Sequence, residues 1–355
     1  MSKSILIDAT HFGTKQPTGV ELYVNELLPR ISSILQNHDV TVSWVAHEFR
    51  EELPGGVEAI TSPYSKGWGQ RALTKLLREK KPDLFFTPSG IPPYFSPVAT
   101  AMTVHDLSYY DNPQSYSFPA KIRLNAVMPR VAMRSSLILV PSEFVKNDIT
   151  NRWRISSAKI MVTYLAESLA KEEEIVSLPN VQFAFFVGRI ELKKNLIPLV
   201  KALAEVPELH LVCAGRDGYG AEEVRRAILQ LPQEVQNRIH LIGYISQAQK
   251  RWLYLHSRLT VVPGMGEGFG MSVLEAFRLG SPVIVSASGS LPEIADNGAI
   301  LVQGDDVEEW RRALMLIQSD ETVRKDLISR GHERSNQFSW DRCAEETARA
   351  LLAVL

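Results

Sequence analysis

Short apolar runs alternate with longer helical segments along most of the chain. In the first half the apolar runs are rich in β-branched and aromatic residues and lack polar alternation, which is typical of strands covered by helices on both faces. The predicted elements of this half are strands at 4–9, 41–46, 83–87, 99–105, 137–141 and 159–164 and helices at 20–35, 70–80 and 120–133. Strand–helix alternation of this kind predicts a parallel, doubly wound sheet.

The alternation stops at 167–180 and then begins again. Because this stretch is charged and offers no apolar face, we interpret 169–180 as a linker. The predicted elements beyond it are strands at 183–187, 210–214, 239–243, 259–263, 282–286 and 299–302 and helices at 195–205, 221–229, 247–255, 272–279, 307–317 and 321–336. The pattern predicts an α/β protein with two Rossmann-like domains, 1–168 and 181–339. A last helix is predicted at 340–355, and no predicted strand follows it. We expect this helix to pack back on the first domain.

Composition and charge narrow the class of protein. A length of 355 residues suits two α/β domains, and 45% hydrophobic with 22% charged residues suits buried cores rather than disorder. The net charge of -1 argues against nucleic acid as a partner. Only two cysteines occur, Cys213 and Cys343, and they have no metal-ligand spacing. We expect the compartment to be reducing. We expect no signal peptide and no spanning segment, and hence a cytoplasmic protein with peripheral contact at most to the inner face of the membrane.

A glycine-dense loop between a strand and a helix is the most informative segment, with the sequence PGMGEGFGMSVLEAF at 263–277. Glycines allow close approach of the backbone to a ligand, and free amides at a helix start near Ser272 favour an anion. Glu267 and Glu275 flank this position, and carboxylates accept hydrogen bonds from paired sugar hydroxyls. The alternative is that Ser272 and Glu275 form only a capping box and that Glu267 is a solvated charge. The glycine density and the second carboxylate favour a ligand site.

A second segment, FVGRIELKKN at 186–195, puts Arg189 just past a strand and Lys194 near a helix start. The helix dipole disfavours a cation there. A bound pyrophosphate would resolve this conflict, with Arg189 making forked hydrogen bonds and Lys194 acting as a point charge. The alternative is a solvated basic turn.

Residues 183–303 resemble the donor-binding domain of the retaining glycosyltransferases of family 4, which have the GT-B fold. The order of several matching segments over this length makes the resemblance specific. The matching segments are the E-x7-E pair Glu267 and Glu275, the phosphate-binding Gly188-Arg189 and Lys194-Asn195, and the runs LGSPVI at 279–284 and GSLPEI at 289–294.

Weaker similarity extends into the first domain, at PTGV (17–20), VHDL (104–107) and PSEF (141–144). Two positions depart from the family pattern. Gly264 stands where the family often has serine, and Gly19 is a single glycine where many relatives have two. These departures concern the geometry of the loops and remove no ligand group.

The resemblance implies roles for named residues on the two sides of a cleft between the domains. We expect catalytic roles for His105, Glu267, Arg189 and Lys194. The expected donor contacts are Gly19, Gly188, Arg189, Lys194, Gly215, Tyr244, Glu267, Gly268, Phe269, Gly270, Met271, Ser272 and Glu275, and the expected acceptor or cleft residues are Thr18, His105 and Asp106. Our hypothesis is that Glu267 contacts the transferred sugar, Glu275 the ribose and His105 the sugar near the reacting carbon. Asp106 either orients His105 or caps local backbone.

The chemistry that the resemblance implies is retention of anomeric configuration, with the leaving phosphate taking the acceptor's proton. The sequence has no Asp-x-Asp motif, since Asp305 and Asp306 are adjacent. Fixed cations can replace a metal at the diphosphate, so Arg189 and Lys194 are expected to stabilise the leaving group. We therefore expect a nucleotide-sugar donor, with GDP-mannose favoured, and no metal or cofactor.

The predicted function is that of a hexosyltransferase in polysaccharide or glycoconjugate synthesis. Mixed basic and apolar stretches at 68–78 and 121–134 suit anionic lipid head groups, and hence a glycan or lipid-linked glycan acceptor. Ordinary surface helices are the alternative for these stretches. For the whole chain, the alternatives are a non-catalytic nucleotide-sugar-binding partner and a GT-B nucleotide-sugar epimerase. A dinucleotide dehydrogenase is disfavoured because no G-x-G-x-x-G follows the first strand.

Overall fold

The computed structural model describes residues 3–62, 68–111, 113–115 and 118–355, which form two compact units. The first unit comprises the described residues of 1–110 and 116–165, together with Ser339–Leu355. The second comprises 111–115, of which 112 is not described, and Ala166–Phe338. The stretch 169–180 contains no helix or strand and belongs to the second unit. Its Glu174 carboxylate accepts hydrogen bonds from Ser246 and Gln249.

The first unit is built on a parallel seven-stranded sheet in the order β3-β2-β1-β4-β5-β6-β7. Its strands are β1 Ser4–Asp8, β2 Thr41–Ala46, β3 Glu58–Thr61, β4 Leu84–Thr87, β5 Ala99–Thr103, β6 Leu137–Val140 and β7 Ile160–Val162. Its first helices are α1 Gly19–Asn37, α2 Leu73–Lys80, α3 Ser108–Asp111, α4 Phe118–Ile122, α5 Met128–Arg134 and α6 Glu143–Trp153. A π-helical turn at Trp68–Ala72 precedes α2, and a second π-helical turn at Arg123–Val127 joins α4 to α5.

The second unit is built on a parallel six-stranded sheet in the order β10-β9-β8-β11-β12-β13. Its strands are β8 Phe183–Val187, β9 His210–Ala214, β10 Ile239–Gly243, β11 Leu259–Val262, β12 Val283–Ser286 and β13 Ala299–Val302. Its helices are α7 Leu196–Leu203, α8 Ala221–Leu229, α9 Gln233–Gln236, α10 Gln247–His256, α11 Met271–Arg278, α12 Leu291–Ala295, α13 Val307–Ser319 and α14 Glu321–Ser335. Every residue of β11 and β12 is buried, because helices cover both faces of the central strands.

The last helix, α15 (Trp340–Val354), lies in the first unit and packs against α1. The Ser339 hydroxyl caps its start, and Trp340 and Cys343 are buried on its inner face. Arg30 of α1 donates a hydrogen bond to Asp341 at 3.1 Å.

The strand β3 is absent from the sequence prediction. It is a short edge strand in which two of the four side chains are polar and all but Ile60 are exposed, so it lacks the apolar run by which the other strands are identified. Its Glu58 accepts hydrogen bonds from Ser43 of β2 and from Lys80 of α2. Pairing with β2, together with partial burial of Ile60 against the cluster that contains Val45, therefore supports this strand.

A histidine pair joins the first residue of β9 to the second residue of β10, and it predicts acid sensitivity of the second unit. His210 Nδ1 lies 2.9 Å from His240 Nε2, so one ring donates a hydrogen bond to the other. Burial lowers the pKa of both rings below 6.5, and for His210 the neighbouring His240 and Arg238 lower its pKa further. The unfolded chain then binds more protons below pH 6.5, so stability is complete above that pH and falls as the pH decreases below it.

We expect His240→Gln to reduce this pH dependence, because only one imidazole then remains to be protonated. The measurement is the free energy of unfolding in urea at pH 7.5, 6.5 and 5.5 for the wild type and the variant. The other histidines affect both proteins equally. An identical loss of stability on acidification in the two proteins would contradict the prediction.

Candidate active site

The order of strands in the second unit reverses between β8 and β11, and the loops after these two strands lie side by side there. The amide of Met265 donates a hydrogen bond to the Lys193 carbonyl at 2.9 Å, which joins the two loops. In open parallel sheets, ligands bind at the carboxyl ends of the strands on either side of such a reversal. The two segments that the sequence analysis selected therefore meet at the position where a ligand is expected.

Lys194 and Glu267 form an ion pair across this position. Lys194 ends a short 3-10 turn, Leu192–Lys194, immediately before α7, and its ammonium lies 2.5 Å from Glu267 Oε1. Each side chain is 20% exposed, so solvent and ligands can reach the pair. Arg189 lies in the same loop, is exposed, and makes no side-chain hydrogen bond to any described residue. The structure thus brings two predicted catalytic residues, Lys194 and Glu267, into direct contact and leaves the third, the Arg189 cation in the same loop, without a side-chain partner among the described residues.

The backbone of Glu267 is held by the loop after β12, which the sequence analysis matched to the family without assigning it a role. Ser290 donates to the Glu267 carbonyl from its amide and its hydroxyl, each at 2.9 Å. A Cβ on Gly289 would lie 2.6 Å from the Glu267 amide nitrogen and carbonyl oxygen, so only glycine permits this approach. The sequence feature that could have indicated this contact was Gly289, at the start of the 289–294 run.

Gly264 leaves room for the Glu267 side chain. A Cβ at this position would lie 2.3 Å from Glu267 Oε1. The departure from the family pattern at Gly264 is therefore linked to the position of the Glu267 carboxylate in this chain.

The helix after the glycine loop begins at Met271, one residue earlier than predicted, and Gly270 precedes it with φ of 98°. Ser272 is therefore inside the helix and forms no capping box with Glu275, so the capping alternative is wrong. The first amides of α11 have no partner within the helix and point towards its N-terminal end, where an anion is favoured. Phe269 is buried and packs edge-on against Phe338, so any ligand would meet the backbone of Phe269 and not its ring.

Glu275 lies in the second turn of α11 and is buried, with two partners on α10 that the sequence analysis missed. Lys250 donates to Oε1 at 2.5 Å and Tyr254 donates to Oε2 at 2.9 Å. Burial, and then the charge of Glu275, raise the pKa of Tyr254 well above 10. The available signal was a lysine on the same helical face as Tyr254, four residues before it.

The turns after β8 and β9 approach each other closely. The Gly188 amide donates to the Ala214 carbonyl at 2.9 Å, and a Cβ on Gly215 would lie 1.9 Å from the Gly188 carbonyl oxygen. After β10, Tyr244 is exposed, and the Arg216 guanidinium lies over its ring at 4.9 Å. The predicted donor residues Gly188, Gly215 and Tyr244 thus all lie at the carboxyl edge of the same sheet.

The first unit has its own cavity, of about 630 Å³, at the carboxyl ends of β1, β4 and β5. His105 lines it, and its Nε2 lies 2.8 Å from the Pro88 carbonyl. Because a carbonyl only accepts, Nε2 carries the proton and Nδ1 is left as an acceptor. Burial lowers the pKa of His105, so the ring is neutral at pH 7. Asp106 accepts hydrogen bonds from the Ser108 amide and hydroxyl at 3.0 and 2.8 Å. Of the two roles expected for Asp106, orienting His105 or capping local backbone, these contacts correspond to capping.

Asp8 lines the same cavity and was missed, although it is the charged residue that ends the first apolar strand. Its carboxylate accepts hydrogen bonds from Thr10 at 2.6 Å and from Thr87 at 3.2 Å. Thr18 and Gly19, by contrast, are not among the lining residues. They are exposed at the start of α1, where Thr18 and Glu21 form a capping box and a Cβ on Gly19 would meet no atom within 4 Å.

The described ranges, 3–62, 68–111, 113–115 and 118–355, contain neither a metal-binding cluster nor a membrane-spanning helix. No group of three or more His, Cys, Asp and Glu side chains there is placed to hold a metal ion. None of the helices in the same ranges combines the length and apolar character needed to cross a bilayer.

Comparison with protein-family models finds two consecutive matches. Residues 17–166 match "Glycosyltransferase Family 4", and residues 170–334 match "Glycosyl transferases group 1". Among curated proteins, the chain is 25% identical over 289 residues to the O-antigen chain mannosyltransferase B of Escherichia coli, covering 77% of this chain and 75% of that protein. It is 28% identical over 243 residues to the O-antigen chain mannosyltransferase RfbU of Salmonella typhimurium, covering 68% and 65%.

Among solved structures, HepE of Anabaena in complex with UDP and glucose matches with a TM-score of 0.75 and 18% identity, covering 99% of this chain and 100% of that one. The likeness extends over both units, and it confirms the expected fold class. At this identity the comparison bears on the fold alone.

Proposed function

Because the chain belongs to the group 1, family 4 glycosyltransferases and is therefore a hexosyltransferase of GT-B fold, we propose that it transfers a hexose from a nucleotide diphosphate sugar to a glycan or lipid-linked glycan. Mannose is the favoured hexose, and O-antigen or a related polysaccharide is the favoured product. The names of two relatives, both O-antigen chain mannosyltransferases, support this choice.

The observation that carries the proposal is the Lys194–Glu267 pair at the strand reversal. A diphosphate there would exchange partners with the pair: Lys194 turns to the phosphate, and Glu267 is released to accept hydrogen bonds from hydroxyls of the transferred sugar. Arg189, which is exposed and unpaired among the described residues, adds a second cation for the same diphosphate. The amides at the start of α11 add a third source of positive potential.

The proposed chemistry follows from these groups. The bond from the anomeric carbon to the diphosphate oxygen breaks, and the negative charge that develops on that oxygen is stabilised by Lys194 and Arg189. The acceptor hydroxyl attacks on the same face, and its proton passes to the departing phosphate oxygen, so configuration is retained. Neutral His105 uses Nδ1 to accept a hydrogen bond from a sugar hydroxyl, a role that a protonated ring could not fill. Glu275 accepts from the ribose.

A donor panel tests this proposal. Purified protein is incubated with UDP-, GDP-, ADP- and TDP-sugars in the presence of EDTA, and release of the nucleotide is measured beside the Glu267→Ala variant. We expect slow hydrolysis of one donor by the wild type, none by the variant, and no change in rate when EDTA is replaced by Mg²⁺ or Mn²⁺. A rate that depends on added metal would overturn the metal-independent mechanism.

Turnover also separates the proposal from its alternatives. Binding of a donor with no transfer to any lipid-linked or free glycan acceptor would favour a non-catalytic binding partner. Interconversion of the sugar on the nucleotide, without loss of the nucleotide, would favour an epimerase.

The cavity of the first unit supports an amphipathic acceptor. Its lining includes polar side chains such as Asp8, Thr10 and His105, which suit glycan hydroxyls. Leu124 and Met128 also line it, and they lie on the segment that runs from α4 to α5. This lining favours an acceptor that carries an apolar group, as a lipid-linked glycan does.

The outer surface of the same segment supports contact with an anionic lipid surface. Residues 118–134 carry four basic residues and no acidic one. Phe118 is 74% exposed and Ile122, four residues later, is 50% exposed. Nearby, Arg134 lies over the ring of Tyr94 at 4.3 Å. Exposed apolar side chains among basic ones are typical of surfaces that bind anionic membranes.

We expect the double variant Phe118→Ser/Ile122→Ser to bind phosphatidylglycerol-containing vesicles about tenfold or more weakly than the wild type, because burial of such side chains contributes about 1.5–3 kcal/mol each. Vesicle co-sedimentation measures the binding, with neutral phosphatidylcholine vesicles as the reference. Leu229→Ser removes an equally exposed apolar side chain from the second unit and serves as the control. Unchanged binding of the double variant would exclude this surface.

A further inference from the structure

A buried cluster behind the glycine loop joins α10 to α11. Lys250 and Tyr254 lie one helical turn apart on α10, and each holds one oxygen of the Glu275 carboxylate, at 2.5 and 2.9 Å. Lys250 and Glu275 are only 6% and 3% exposed. The Lys250 ammonium also lies 3.4 Å from the Ser168 carbonyl.

The remaining hydrogen-bonding capacity of Glu275 is matched to a diol. An ionised carboxylate offers about four acceptor positions, two on each oxygen. Lys250 and Tyr254 each use one, on different oxygens, so one position on each oxygen remains. Two neighbouring hydroxyls, such as the 2′ and 3′ hydroxyls of a ribose, require two acceptors at the spacing of one carboxylate.

Stability by itself is a weak reason for such a cluster. Burying two charges costs desolvation energy, and replacing a buried ion pair by apolar residues of similar size is often neutral or stabilising. Lys250, moreover, projects from a helix face whose neighbours Leu253 and Tyr254 are buried. A lysine there is explained if the carboxylate must be held by a charged partner in one orientation.

We propose that Lys250 and Tyr254 are positioning residues that fix the Glu275 carboxylate in one orientation towards the ribose of the donor, and that they thereby set the preference for ribonucleotide over deoxyribonucleotide donors. This inference rests on the proposed function, because it requires a nucleotide donor at Glu275. Lys250 supplies the compensating charge, and Tyr254 restricts rotation of the carboxylate through its hydroxyl.

The test compares the dissociation constants of GDP and 2′-deoxy-GDP, or of the corresponding pair for the base that the wild type selects in the donor panel. We expect the wild type to prefer the ribonucleotide by about tenfold or more, since a hydrogen bond to a charged group is lost in the deoxy form. Glu275→Gln and Lys250→Met should reduce that ratio to within about threefold, and Tyr254→Phe should reduce it in part. Lys250→Arg, which keeps the charge, should restore more of it than Lys250→Met.

The ratio of the two constants separates positioning from a merely structural role. A general loss of structure weakens both ligands and leaves their ratio unchanged. Arg251→Met serves as the matched control. It alters the residue of α10 that follows Lys250 and removes an ion pair with Glu173 at 3.9 Å, and it should leave the ratio at the wild-type value. Tyr254→Phe keeps the edge-on packing of the ring against Phe185, so it remains informative if Lys250→Met does not fold.

Three outcomes would be decisive. A ratio that falls in Glu275→Gln, Lys250→Met and Tyr254→Phe but not in Arg251→Met supports the inference. A wild-type ratio retained in folded Lys250→Met, or in Tyr254→Phe if Lys250→Met does not fold, overturns it while leaving the proposed function intact. Absence of any nucleotide binding by the wild type overturns the proposed function itself.

Discussion

Replacing Glu267 by glutamine should slow hexose transfer by about ten- to a hundredfold, while the nucleoside diphosphate product binds about two- to fivefold more tightly. The rate falls because a charged hydrogen bond to the transferred sugar, worth about 1.5–3 kcal/mol, is lost. The product binds more tightly because Lys194 no longer pairs with a carboxylate that competes with the phosphate. A partly exposed ion pair of this kind contributes up to about 1 kcal/mol, which sets the size of the gain.

Steady-state transfer and calorimetric titration of the nucleoside diphosphate measure the two effects. The opposite signs are the diagnostic feature, since damage to the loop would weaken both. Equal losses in transfer and in product binding would show that Glu267 supports the loop and does not contact the sugar.

A double-mutant cycle with Lys194→Met extends this test. Lys194→Met alone should weaken product binding, and it should remove the gain that Glu267→Gln produces, because the two side chains act on each other. Lys193→Met alters the adjacent lysine, whose ammonium lies 3.7 Å from Glu191, and it serves as the matched control. Additive effects of the two substitutions on product binding would contradict the exchange of partners at the strand reversal.

Alanine at Gly215 should destabilise the protein by about 2–5 kcal/mol and weaken donor binding. The added Cβ would lie 1.9 Å from the Gly188 carbonyl oxygen, a backbone atom that can move only with its loop. That loop carries Arg189, so the overlap displaces a group proposed to bind the diphosphate. The expected loss combines overpacking, about 1–3 kcal/mol, with the strain of φ at 149°.

Gly243→Ala provides the matched control at the same edge of the sheet. Gly243 has φ of 74°, but a Cβ there would meet no atom within 4 Å, so only the conformational strain of about 1–2 kcal/mol applies. Urea unfolding of both variants measures the free energies, and nucleoside diphosphate titration measures donor binding. If the free energy of unfolding of Gly215→Ala were equal to or higher than that of Gly243→Ala, the close approach of the two turns would be contradicted.

Local chemistry was sufficient to predict most of the fold. The buried strands of both units consist of apolar runs that can be identified without knowledge of their neighbours, and both sheets are parallel as the strand–helix alternation indicated. The edge strand β3 was missed because it contains only two adjacent apolar residues, Ala59 and Ile60, and three of its four side chains are exposed. The start of α11 was displaced by one residue because Gly270, and not a side-chain cap, ends the loop.

The sequence by itself therefore determined the two parallel α/β sheets and the groups that occur at their carboxyl ends, since periodicity, glycine spacing and the Glu267…Glu275 interval are local properties. The tertiary structure alone decided which of these groups meet. Lys194 and Glu267 are 73 positions apart, and Lys250 and Glu275 are 25 apart. Both contacts depend on which strands and helices lie beside one another. Strand order is set by packing over the whole unit, so it cannot be predicted from any local sequence pattern.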